Sequence, residues 1–533
     1  MQEDAFEYPE SLRSRGFLDQ LGTEAALRLN GVTDDERQRV QELSTKISAA
    51  RKDLEQQGSL TLAERDEERY KKAGEDLAQA EKELATLDNA IGKRLPAYAQ
   101  LRNPKPVDVK TAQKWCGKDR AVLEYVLWNP SLIEGSSIPP ADIGSWCIIL
   151  TEKKVKVVKL DGDYDYATAI NKLREGISNI KRESQLETVR NELYDKLLAS
   201  VLSKVGGSIN ELVIVPDGCL SFLPFDVLRK NEKSKCLGDQ YVISFSPSVS
   251  VSVLSGGKKR TKRSVLAFGG AWYDSTMSAD EHRRTYSLAD TSRGVNRGSV
   301  ATDFRLEAQN DAQLAYMKQH IREYGPGDYF KEKGLVWQDL PGTVTELAAL
   351  RSGVFAAGTF TRRTQELASE AMVKKLSSSG DLKRYSVLHF ACHGYFDSTI
   401  ADMSSVLFSE VSGKLSDSSS DDGYLTIPEA AVLNLDADMV CLSACETGLG
   451  EVRAGDGMVG LSRAFMVAGA EHVGVSLWCV DDEATAEFMT RMYRKVEQEG
   501  MDYAAAYRAV KAEFRKSEEW DHPYYWAAFV LYE

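Results

Sequence analysis

The sequence predicts an α/β protein in which a largely parallel sheet is flanked by helices, behind an α-helical hairpin. Three observations carry this. Two N-terminal stretches space their apolar residues 3 and 4 apart between capping signals. Beyond about residue 120, short runs rich in β-branched and aromatic residues alternate with helical stretches. Two of those runs, "SVLHFACHGYFD" (386–397) and "MVCLSACETGLG" (439–450), stay apolar until they end in small and polar residues.

Taken in order, "AFEYPESLRSRGFLDQLG" carries Leu12, Phe17, Leu18 and Leu21 at helical spacing. Thr33, Asp34, Asp35 and Glu36 form a capping box ahead of Val40, Leu43, Ile47, Ala50 and Leu54, and "QQGS" stops that helix at Gly58. A second box, Thr61 to Glu64, precedes Tyr70, Ala73, Leu77, Ala80, Leu84, Leu87 and Ile91. Two capped helices joined by a short Gly turn make an antiparallel hairpin, which serves either as a partner-binding arm or as a packing strut. "RNPKPVD" then reads as a Pro-broken linker. The strands that follow are "AVLEYVLW", "WCIILTEKKVKVVKL", "ELVIVPDG" and "YVISFSPS", with a long helical stretch over about 166–205. A second α/β set opens at "SVLAFGGAWY". It continues through helices at "TVTELAALRSGVF" and "ELASEAMVKKL", the two runs quoted above, a strand at "AEHVGVSLW", two helices and a last strand at "WAAFVLYE". Two polar segments interrupt this set: about 273–338, and the Ser/Asp loop "SGKLSDSSSDDG". The expected divisions are therefore 1–101 (helical), 102–262 (first α/β set) and 263–533 (second α/β set).

A chain of 533 residues can bury large cores. The net charge of −13 disfavours nucleic-acid backbones and anionic membranes as partners. No apolar run is long enough to span a bilayer, and "MQEDAFEYPE" lacks the features of a secretory leader. The 8 Cys are scattered, which suits reduced thiols in a cytoplasmic setting.

Reactive groups in open α/β sheets gather at the carboxyl ends of strands. His393, one of 6 His, and Cys445 both sit at such ends. A thiol becomes a strong nucleophile once a neighbouring imidazole takes its proton. Acyl transfer also needs backbone N–H donors for the oxyanion, and Gly394 and Cys445 itself are the candidates. Alternation puts His389, Ala391 and His393 on one face and Cys392 on the other, and leaves His389 and Cys441 as core neighbours. Two rival readings stand beside the dyad: separate structural Cys and His residues, or a zinc site from Cys392, His393, Cys441 and Cys445, which lacks C-x-x-C spacing.

"VLHFACHGYFD", "MVCLSACETGLGEVRAGDGMVGLSRAFMVAGAEHVGVSLWCVDDEAT" and "HPYYWAAFVLY" strongly resemble the CHAT family, a caspase-like domain often attached to tetratricopeptide repeats and related to separase. "LVIVPDGCLSFLPFDVL" and "LPGTVTEL" resemble CHAT motifs as well, so the likeness runs over roughly 120–533. It implies a caspase-like fold whose first α/β set is a non-catalytic companion, and a cysteine endopeptidase with His393 as base and Cys445 as nucleophile. No cofactor and no metal are implied. "SLWCVDDEAT" resembles the separase stretch that supplies an acid to the P1 pocket, which points to Asp482, with Asp481 second, and to cleavage after Arg or Lys. Adjacent acids also serve as a helix N-cap and first turn, and Asp456 is an alternative shaper of the loop under Cys445. "FEYPESLRSRGFLDQLG" resembles the last repeat helix that often precedes this domain. The implied partners are a protein substrate and an activating protein or ligand, in a setting of bacterial defence. A non-catalytic scaffold is the alternative. The Arg283–Arg284 pair is a candidate self-cleavage site.

Overall fold

The computed structural model describes residues 32–58, 65–95, 106–127, 144–178, 183–255, 264–273, 339–356, 358–397, 400–409, 421–443, 450–453 and 457–533, with residues 6, 10, 329, 330 and 337. The first expected helix, at about residues 12–21, and the second capping box, at 61–64, lie outside them. Residues 15–105 form one compact unit; residues 1–14 and 106–533 form the other.

The smaller unit is an antiparallel pair, α1 (Asp34–Gly58) and α2 (Glu67–Arg94). The expected capping box starts α1: the Thr33 N–H donates to Glu36 Oε2 at 2.9 Å and the Glu36 N–H to Thr33 Oγ1 at 3.2 Å. Asp66 caps α2 by accepting the Arg69 N–H. The 3-4 residues meet along the seam, where Val40 packs with Ile91 and Leu43 and Ile47 with Ala80. Ion pairs Arg39–Glu83 and Arg94–Glu36, at 2.6 and 2.7 Å, cross it.

The larger unit is built on one sheet. Its strands are β1 (Arg120–Val126), β2 (Trp146–Thr151), β3 (Lys154–Lys159), β4 (Glu211–Val215), β5 (Val242–Phe245), β6 (Val265–Gly269), β7 (Phe360–Arg363), β8 (Val387–Ala391), β12 (Ala437–Leu442), β15 (Ala470–Ser476) and β16 (Phe529–Tyr532). They run in the order β3-β2-β1-β4-β5-β16-β15-β12-β8-β6-β7. Pairing is parallel except in β1–β2, β2–β3 and β15–β16. The central strands are buried along their length, as a parallel sheet covered on both faces requires. "WCIILTEKKVKVVKL" is a hairpin of two strands, not one, because "EK" turns the chain at 152–153 and Trp146 then faces Lys159. The sheet is continuous across the two α/β sets. The C-terminal β16 returns to β5 through Tyr532 and Phe245, and the Glu533 N–H donates to Phe245 O at 2.9 Å.

Helices α3 (Val109–Cys116), α4 (Tyr166–Ser178), α5 (Glu183–Tyr194), α6 (Gly342–Gly353), α7 (Glu370–Ser378), α8 (Leu461–Ala468), α9 (Asp482–Gln498) and α10 (Tyr503–Phe514) accompany this sheet. The long expected helical stretch is thus two helices, the second running on through 195–202. A buried ion pair ties the two sets together: Lys511 Nζ on α10 meets Asp226 Oδ2 at 2.7 Å. Burial pushes the Lys511 ammonium below its ordinary range, against the pull of Asp226.

A second sheet was not legible in the sequence. β9 (His393–Tyr395), β10 (Ser405–Leu407) and β11 (Tyr424–Thr426) form an antiparallel sheet of their own in the order β11-β10-β9. β13 (Gly450–Arg453) and β14 (Gly457–Gly460) pair separately. None of the described helices is long and apolar enough to cross a membrane.

Candidate active site

β8 and β12 are neighbours and run the same way, with Cys441 opposite His389 and Leu442 opposite Phe390. Their carboxyl ends therefore open at one point. Beyond β12 the chain is described as far as Ser443, and Cys445 lies outside the described residues, as does Asp456. Beyond β8 the chain does not continue straight. It leaves the large sheet at Cys392, and His393 starts β9 in the small one. The expected single strand, with His389, Ala391 and His393 on one face, is thus broken one residue before His393. The Cys392 Sγ lies 4.0 Å from Phe268 O on β6.

His393 is 7% exposed and lies among aromatic rings. The Tyr273 ring meets its imidazole edge-on at 4.6 Å, and the Trp337 ring lies at 5.1 Å, tilted by 45°. The His393 N–H donates to the Tyr273 hydroxyl at 3.1 Å, and that hydroxyl donates to Leu407 O at 3.2 Å. Gly394 is the middle residue of β9, opposite Val406. Beyond it, the Asp397 carboxylate accepts hydrogen bonds from the hydroxyls of Tyr329 and Tyr395, the latter at 2.9 Å, and from the Ile400 N–H at 2.8 Å. Burial, then that carboxylate, pushes both phenols well above their usual range.

Beneath the strand ends lies a buried polar cluster that spacing did not foretell. Glu346, on α6, accepts from Ser443 Oγ at 2.7 Å and lies 3.0 Å from His389 Nε2. His389 Nδ1 is 3.2 Å from the Tyr493 hydroxyl on α9. Burial alone would lower the His389 pKa, but the adjacent Cys441 sulfur and the Glu346 carboxylate raise it to about 10. Cys441 Sγ sits 3.5 Å from Met489 Sδ, in the core. His389 and Cys441 are therefore core neighbours, as alternation suggested. Among the described residues no group of His, Cys, Asp and Glu is arranged to hold a metal ion.

The two acids of "VDDEAT" have different surroundings. Asp481 caps α9, its Oδ1 accepting the N–H groups of Glu483 and Ala484 at 2.9 and 3.1 Å. Asp482 lies against the start of α6. A Cβ added at Gly342 would stand 2.2 Å from Asp482 Oδ2 and 2.8 Å from its Cβ, so only glycine fits there without moving the acid.

The chain matches the CHAT domain family over residues 187–533. Tetratricopeptide repeat protein 28 of Mus musculus is 35% identical over 107 residues, and that of Homo sapiens 34% identical over the same length. The match covers 20% of this chain and 4% of either relative. Among solved structures, the Saccharomyces cerevisiae separase–securin complex aligns with a TM-score of 0.41 at 10% identity, over 92% of this chain and 37% of that one. The Arg-specific cysteine proteinase gingipain R aligns with a TM-score of 0.32 at 9% identity, over 70% of this chain and 74% of its own.

Proposed function

This chain belongs to the CHAT domain family, and on that premise we propose that it is a cysteine endopeptidase with His393 as base and Cys445 as nucleophile. The supporting observation is the parallel pairing of β8 with β12, which starts the segments leading to His393 and to Cys445 from adjacent strand ends. In the proposed reaction the imidazole of His393 takes the Cys445 proton. The thiolate sulfur then attacks the scissile carbonyl carbon. The N–H groups of Gly394 and Cys445 receive the oxyanion. When the C–N bond breaks, His393 returns its proton to the leaving amine. Water, deprotonated by the same imidazole, then releases the acid from the thioester. A peptide bearing a thiol-reactive warhead tests this: it labels Cys445 in the wild-type chain and not in His393→Ala. Equal labelling of the two chains rejects the dyad and favours a non-catalytic scaffold.

The same reading places a basic residue at P1. Of the two candidate acids Asp482 is favoured, because the Asp481 carboxylate is engaged by helix N–H groups. A carboxylate in a pocket is offset by a bidentate guanidinium. Asp482→Ala is expected to lower cleavage after Arg by about 100-fold, with alkylation of Cys445 by a small reagent unchanged. Peptide-library profiling checks it, and a P1 preference for Asp or for apolar residues rejects the pocket while sparing the dyad. The substrate is then a protein, and an activating partner or ligand is proposed with it, because sites built from loops are what a ligand can order.

A further inference from the structure

Tyr273 and Trp337 stand at the two ends of the polar segment that interrupts the second α/β set. The Tyr273 N–H donates to Asp339 Oδ1 at 2.9 Å across 66 positions, so the chain leaves and returns at one place. That place is His393, since both rings lie against its imidazole. Each ring is itself held. The Tyr273 hydroxyl joins the N–H of His393 to Leu407 O, residues that face each other across β9 and β10. Trp337 Nε1–H donates to the Tyr424 hydroxyl at 3.0 Å, and the Tyr424 ring stacks on Phe330 at 3.7 Å. Tyr273 and Trp337 are 4% and 9% exposed. Filling space would need ring area alone. Here one side chain fixes both the backbone and the ring of the same histidine, and a second ring, anchored through its indole N–H, meets that imidazole as well.

We propose that Tyr273 and Trp337 are positioning residues for His393, holding its imidazole in the orientation that exchanges a proton with Cys445. The proposal rests on the reading of His393 as the base. A histidine left to itself samples several side-chain rotamers, and a base is useful only in the one that reaches its partner. Held in that orientation, the imidazole can take the Cys445 proton, and the clasp thereby favours the thiolate–imidazolium pair.

The test needs no knowledge of the substrate. Iodoacetamide alkylation of Cys445 in the full chain is followed by peptide mass spectrometry from about pH 5 to about pH 9. Wild-type reactivity is expected to inflect well below the free-thiol value of about 8.5. Tyr273→Phe and Trp337→Ala are expected to move the inflection up by about one unit and to slow alkylation near pH 6 by about tenfold. Trp337→Phe, which restores a ring, recovers most of the loss. Should Trp337→Ala fail to fold, Tyr273→Phe carries the test with the removal of one oxygen. His393→Ala is the control that separates the two levels. If its profile matches wild type, His393 is not the base and the proposal falls with that reading. If it moves to the free-thiol value while the clasp variants superimpose on wild type, or are slowed equally at every pH, the base stands and the clasp is overturned.

Discussion

Cys445→Ala is expected to abolish peptide cleavage while leaving the thermal unfolding midpoint near that of wild type. A thiol removed for a methyl changes little packing volume but takes away the atom that forms the acyl-enzyme. His393→Ala is expected to lose nearly as much, on the order of 10³-fold or more, because members of a nucleophile–base pair act as a unit. The double variant should be no worse than the worse single one. Cys392→Ala and Cys441→Ala are the internal controls. Cys392 lies against Phe268 and Cys441 against Met489, both in the core, so these variants keep activity and lose only packing. Rates on the natural substrate or a library-derived peptide decide it. Cleavage that survives Cys445→Ala rejects the mechanism.

The second large effect is on stability. Glu346→Ala is expected to cost about 3–5 kcal/mol, because it strands the buried His389 and Ser443, which both meet one carboxylate oxygen. Glu346→Gln keeps an acceptor and costs less. The pH dependence has a definite sign. His389 binds its proton more tightly folded than unfolded, its pKa rising from 6.5 to about 10. The contribution is therefore fully present below pH 6.5 and is lost as pH rises through about 10. Wild-type melting temperature should fall across that window, and Glu346→Gln should flatten the fall. An unchanged slope in Glu346→Gln means that His389 does not titrate against Glu346. Ser443 is two positions before Cys445, so loss of the cluster is also expected to reduce activity beyond the loss of folded protein.

The first cap and the seams of the hairpin were readable because they are local. Thr33 and Glu36 are three residues apart, and a 3-4 repeat needs only its own helix to be recognised. The same holds for the buried strands β4, β8 and β12, whose apolar runs announce a covered parallel sheet. The β2–β3 hairpin was missed because its turn, at 152–153, carries neither Gly nor Pro. β10 and β11 were missed because each is three residues long, flanking a Ser/Asp stretch that outweighs them in composition.

Sequence by itself determined the helical hairpin and the buried strands β4, β8 and β12, and it singled out His393 and Cys445 as the pair proposed for the chemistry. Those follow from periodicity and residue type, which are properties of neighbours in the chain. Tertiary structure alone decided that the chain breaks at Cys392 to put His393 in a second sheet, that Glu346 reaches Ser443 across 97 positions, and that the Tyr273 hydroxyl meets the His393 N–H across 120. Such contacts leave no periodic trace, because a buried carboxylate or a ring finds its partner through the packing of whole elements. The same residue types, read along the chain, look like any other Glu, Tyr or Trp.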